Sequence, residues 1–92
     1  MEFRIWSEAI NMFKIGKVLN YYDKLGVAIV ELDGILSVGD NIKFVHDGEN
    51  IFEQTVESIQ IDHQKVDSAN KADIVSLKTK QNVETSSEVY KT

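Results

Sequence analysis

Two histidines, His46 and His63, each stand beside an aspartate, Asp47 and Asp62. A His–Asp corner is raw material for a metal site, which takes about three or four protein ligands. The two corners here could complete one only if the ends of two separate runs meet; the plainer reading is surface histidines at strand ends. Nucleophilic catalysis needs a Ser or Cys oriented by a base. Ser58, Ser68, Ser76, Ser86 and Ser87 are present, but none stands in a nucleophile motif. Glu53 and Glu57 have the spacing of one solvated strand face. Gly16-Lys17 fails the phosphate-loop pattern, because position 11 is Asn and position 18 is Val. These residues therefore predict no catalytic residue, no metal ligand, no cofactor and no enzyme.

The aromatic residues are the better candidates for contact with a partner. Tyr21 and Tyr22 are adjacent, so in a strand one ring points in and the other out. The outer ring, with Lys24 beyond it, has the chemistry to stack on a base or grip a protein. Near the start, Phe3, Trp6, Ile10 and Phe13 follow helical spacing and form one stripe. Arg4 and Glu8 add an oppositely charged i, i+4 pair. The spacing predicts a short helix or arm over 1–13 that covers one end of the domain or docks a partner or a second copy; the alternative is an upstream extension without a role, with Met12 as the start residue. An apolar stripe of this kind is unfavourable unless covered.

The rest of the chain reads as strands. Proline and cysteine are absent, and glycines at 16, 26, 34, 39 and 48 punctuate runs rich in β-branched and aromatic residues. The expected runs are 14–22, 25–32, 41–46, 51–61, 73–80 and 88–91. Asp33-Gly34 and Asp47-Gly48-Glu49-Asn50 are turn signals between them. Ala28, Val30 and Leu32 share one face, as do Ile42 and Phe44. The phase shifts between Val56 and Ile59, which predicts a bulge or a strand that changes sheet at a corner. The polar stretch 62–71 is expected to hold a helical turn, and 81–87 a loop. Short strands with frequent turns predict an all-β, closed, six-stranded, largely antiparallel barrel over 14–92.

Composition narrows the function. Ninety-two residues make one domain. The 42% apolar content is ordinary for a folded protein, and no run approaches a membrane span. The N-terminus lacks a basic region followed by an apolar block, so the cytoplasm is the expected compartment. The net charge of −5 disfavours general nucleic-acid binding, since phosphate backbones attract dense positive charge. DNA is not an expected partner, and RNA would need a local basic face.

Ile35-Leu36-Ser37-Val38-Gly39-Asp40 resembles the "L-x-V-G-D" turn in the second domain of elongation factor Tu type translation GTPases. Ile15-Gly16-Lys17-Val18 is similar to the opening strand of that domain. Ser58-Ile59-Gln60-Ile61-Asp62-His63, with 69–77, is similar to its later strand–loop–strand pattern, Ala72-Asp73 standing where the family has Gly-Asp. The resemblance covers about 14–92 and looks closest to translation elongation factor-like proteins. Similar barrels are also appended to some collagenase-type peptidases. It implies structural roles: Val38 plugs the core, Gly39 takes a positive φ, and Asp40 caps the turn. Ala72 would be strained if its site also needs a positive φ. In the translation factors the nucleotide site lies on a separate domain, so GTP is not expected here.

The resulting expectation is a non-catalytic binding module for a protein or ribonucleoprotein partner, with Phe3, Trp6, Ile10, Tyr21, Tyr22 and Lys24 as candidate contacts. The alternatives are an RNA-end-binding translation accessory factor and a barrel acting in trans with a collagenase-type peptidase. The RNA reading requires Lys14, Lys17 and Lys24, or Lys78 and Lys80, to gather beside Tyr21 or Tyr22.

Overall fold

A computed structural model of the chain describes residues 13–92. Within them, alternation of apolar and polar residues gives ten strands: β1 (Phe13–Tyr22), β2 (Val27–Leu32), β3 (Leu36–Ser37), β4 (Asn41–His46), β5 (Glu49–Thr55), β6 (Ile59–Ile61), β7 (Gln64–Val66), β8 (Ser68–Ala69), β9 (Ile74–Lys78) and β10 (Glu88–Lys91). All ladders are antiparallel. Eight strands form one sheet in the order β5-β4-β10-β1-β2-β9-β6-β7, and β3 pairs with β8.

The all-β expectation holds, but the closed six-stranded barrel does not. β5 and β7 end the eight-strand order, and no backbone ladder joins them. The expected single run 51–61 breaks at 56–58, and its halves lie toward opposite ends of the sheet. The phase shift between Val56 and Ile59 marks this crossing. The polar stretch 62–71 forms no helical turn. Asp62 and His63 both take positive φ (51° and 67°), as a tight hairpin between β6 and β7 requires.

A side chain partly spans the open seam. Gln54 on β5 is only 7% exposed. Its Nε2 donates to the carbonyl of Lys78 at 2.8 Å, and its Oε1 accepts from the N–H of Lys80 at 2.9 Å. The amide thus offers β9 the donor and acceptor that a neighbouring strand would.

The inward faces share one core. Val18, Ala28, Val30, Ile42, Phe44, Ile59, Val75, Leu77 and Val89 are buried together, with Leu36 beneath the β3–β8 pair. Each larger side chain contributes about 1.5–3 kcal/mol when removed from water. Phe44 and Phe52 stack at 4.9 Å between centroids. Gly16 is required by close approach, because a Cβ there would lie 2.8 Å from Val30 Cγ1 and 2.9 Å from the Glu31 carbonyl oxygen.

Val38 corrects another expectation. It is 43% exposed, and Leu36 plugs the core instead. β3 ends at Ser37, and the following turn throws the Val38 side chain outward while its N–H bonds the Asp67 carbonyl at 2.9 Å. The roles of Gly39 and Asp40 hold: Gly39 has φ of 97°, and the Ser37 N–H donates to Asp40 Oδ2 at 2.8 Å.

Phe3, Trp6 and Ile10 lie outside the described residues. Phe13, the last member of their stripe, opens β1 as a strand residue and is 60% exposed.

Candidate functional site

The β1–β2 hairpin separates the two tyrosines as strand alternation requires. Gly26, with φ of 65°, closes its loop by donating to the Tyr22 carbonyl at 2.8 Å. Tyr21 turns inward, packs against the core, and places its hydroxyl 3.2 Å from Asn82 Oδ1. Tyr22 turns outward and is 48% exposed. Lys24 is exposed in the loop beyond them.

Each tyrosine borders a different depression. Tyr21 lines an open cleft of about 780 Å³ with Asp23, His46, Glu49, Asn50 and the segment Asn82 to Thr85. This cleft is the unfilled part of the seam, between the first half of β5 and the loop that follows β9. Its acidic groups are Asp23, Glu49 and Glu84, and no lysine or arginine lines it. Tyr22 lines a smaller groove of about 370 Å³ on the outer sheet face, with Leu25, Val27, Ile29, His63 and Lys78 among its walls.

The two histidines therefore do not converge. His46, with Nδ1 3.4 Å from Asp47 Oδ2, borders the first cleft, and His63 borders the second groove. Among the described residues no group of three or more His, Asp or Glu is placed to hold a metal ion.

The lysines are likewise divided. Lys14 pairs with Glu88 at 3.4 Å near the start of β1, and Lys17 lies opposite Glu88 in the β1–β10 register. Lys24 follows the other end of β1, so these three do not gather. Lys78 stands with Tyr22 in the second groove, whereas the Lys80 backbone bonds Gln54. Around Glu88, a hydrogen bond from the Tyr90 hydroxyl at 3.0 Å and the nearby Lys14 charge hold the carboxyl below its ordinary value. The same bond to Glu88 raises the Tyr90 phenol above its ordinary value.

Sequence reading missed Asn50, Asn82 and Glu84. Asn82 reaches Tyr21 across 61 residues of chain, and nothing local in 81–87 signals that contact.

No protein-family model matches the chain. It is 36% identical over 77 residues to an uncharacterized protease of Methanocaldococcus jannaschii and 33% identical over 78 residues to a collagenase of Porphyromonas gingivalis. Each match covers 84% of this chain but only 19% and 22% of those proteins, so the chain spans about a fifth of the relatives' length. Among solved structures it matches the C-terminal domain of a protein described as a U32 peptidase from Geobacillus thermoleovorans. The TM-score is 0.80 at 28% identity, covering 86% of this chain and 91% of that one. The likeness is to a peptidase-associated domain. It overturns the elongation factor resemblance: the turn and strand patterns that suggested a translation factor belong here to a chain whose relatives are proteases.

Proposed function

We propose that this domain is a non-catalytic accessory module for a collagenase-type peptidase, holding a polypeptide or the peptidase itself while cleavage occurs on a separate domain. The observation that carries the reading is one of coverage. The chain matches nearly all of an isolated C-terminal domain of a U32 peptidase, yet only about a fifth of each protease. A domain similar to one small part of an enzyme is suited to serve the enzyme's larger remainder. Its open cleft and unpaired seam give it contact surface.

Two measurements test this. A tagged copy expressed in its own cells should recover a collagenase-type peptidase in stoichiometric amount. Grafted in place of the similar stretch of the Porphyromonas gingivalis collagenase, the chain should keep gelatin cleavage that deletion of that stretch weakens. Recovery of no peptidase, together with a graft no better than the deletion, would remove the proposal.

A further inference from the structure

The first cleft has a wall of unpaired backbone, and that wall is the exposed edge of β5. In the β4–β5 hairpin, Asp47 and Gly48 both take positive φ (53° and 79°), so His46 and Glu49 form the hydrogen-bonded pair that closes a two-residue turn. Antiparallel ladders alternate bonded and non-bonded pairs. Asn50, opposite Val45, is therefore in a non-bonded pair, and its N–H and C=O point away from β4 into the cleft. A bulge at Ile51 resets the phase. Counting back from the bond between the Val56 N–H and the Asp40 carbonyl, Thr55 and Glu53 also face outward. Among the described residues β4 is the only strand paired with β5, and no backbone bond outside the ladders reaches these three. An edge of this kind accepts another strand unless something blocks it; beside Asn50 it is open to the cleft, and beside Glu53 an added strand must displace the Gln54 bridge to Lys78 and Lys80.

We infer that this edge binds an extended, basic peptide segment by strand addition, with the peptide's backbone on Asn50 and Glu53 and its cationic side chains toward the acidic cleft. In such complexes main-chain bonds supply affinity, and side-chain surroundings supply specificity. The cleft has the size of a ligand site. Asp23, Glu49 and Glu84 set the sign of the partner, since no lysine or arginine lines the cleft and its one histidine, His46, already faces the Asp47 carboxylate. Tyr21 and Asn82, held to each other, form its floor and far wall. The same charges disfavour a second copy of this chain. Antiparallel pairing of two β5 edges about Ile51 would set Glu49 of one copy against Glu53 of the other, and like charges directly opposite destabilise a sheet. The inference stands on the edge and the cleft, and it holds whether or not a peptidase is the partner.

The test uses the whole chain and two short fluorescein-labelled peptides, one alternating lysine and threonine, the other glutamate and threonine. The basic peptide should bind at least about tenfold more tightly, and less tightly as salt rises. On binding, the amide hydrogens of Asn50 and Glu53 should become protected from exchange. Asn50→Pro should weaken binding by about tenfold or more with little change in melting temperature, because proline is tolerated on a strand edge where the N–H has no partner. If that variant fails to fold, the pair Glu49→Lys with Glu84→Lys should reverse the preference toward the acidic peptide. Equal binding of both peptides, protection on β7 instead of β5, a folded Asn50→Pro variant that binds as before, or a charge-reversed pair with unchanged preference would each overturn the inference. So would a concentration-dependent dimer that the basic peptide does not dissociate.

Discussion

Two turns in this domain are built alike and differ in what holds them. The first joins β3 to β4 through Ser37, Val38, Gly39 and Asp40; the second joins β8 to β9 through Asn70, Lys71, Ala72 and Asp73. The strands before them pair, with Leu36 opposite Ala69 and Ser37 opposite Ser68. In each turn the aspartate carboxylate accepts the N–H of the first turn residue at 2.8 Å. In each, the third and fourth residues clamp a buried residue from elsewhere. Gly39 N–H bonds the Val56 carbonyl and Val56 N–H bonds the Asp40 carbonyl; Ala72 and Asp73 do the same to Leu32. The third residue has positive φ in both, 97° at Gly39 and 77° at Ala72. The clamp geometry thus sets the backbone, and alanine occupies it despite the strain. Asp40 also pairs with Lys91 at 3.2 Å, whereas Asp73 makes no ion pair among the described residues.

This comparison can be broken by mutation. The largest effect is expected from Asp40→Ala, which removes a charge-assisted hydrogen bond and leaves Lys91 alone, at about 2 kcal/mol. Asp73→Ala loses only the turn bond and should cost about 1 kcal/mol. At roughly 4–8 °C per kcal/mol for a domain of this size, thermal melts separate the two. Equal losses would show that the Lys91 pair contributes nothing.

Gly39→Ala should cost about 1–2 kcal/mol, all of it conformational, since an added Cβ meets nothing within 4 Å. Ala72→Gly should act in the opposite direction. Relief of the positive φ outweighs the greater freedom of glycine in the unfolded chain, giving a gain of about 0.5 kcal/mol. A loss of stability in Ala72→Gly would mean that the two turns are not equivalent. Urea midpoints at constant m are the appropriate measurement.

The smallest effect belongs to Glu88, a carboxylate paired with Lys14 much as Asp40 is with Lys91, but holding no turn. Its folded value is lowered, first by the Tyr90 hydroxyl and then by the Lys14 charge. The charged form is therefore favoured by folding. That contribution is present above the ordinary carboxylate value and is lost as pH falls through the lowered folded value. Glu88→Gln should flatten the acid limb of stability only slightly, and Tyr90→Phe should return the Glu88 titration, followed by NMR, toward its ordinary position.

The core faces and turn signals were legible because they are local. Alternation marked Ala28, Val30 and Leu32 as one inward face, and the Asp47-Gly48 dipeptide marked a turn, from neighbouring residues alone; the Gly39-Asp40 turn was read through a family resemblance. The β3, β7 and β8 strands were not legible, because two or three residues carry too little alternation to be recognised. Of the candidate contacts, the opposite orientations of Tyr21 and Tyr22 follow from the pleat, while the depressions they border do not.

The sequence by itself determined that the domain is all β, that Asp47-Gly48 turns, and that Ala28, Val30 and Leu32 share an inward face, because those properties depend on side chains and dihedrals a few residues apart. Only the tertiary structure decided that the strand order stays open, that Gln54 spans part of the seam to Lys78 and Lys80, and that Asn82 meets Tyr21 across the remaining cleft. Those contacts join distant parts of the chain, and their partners are chosen by how the whole sheet curls about one core. The cleft is what that curl leaves unfilled.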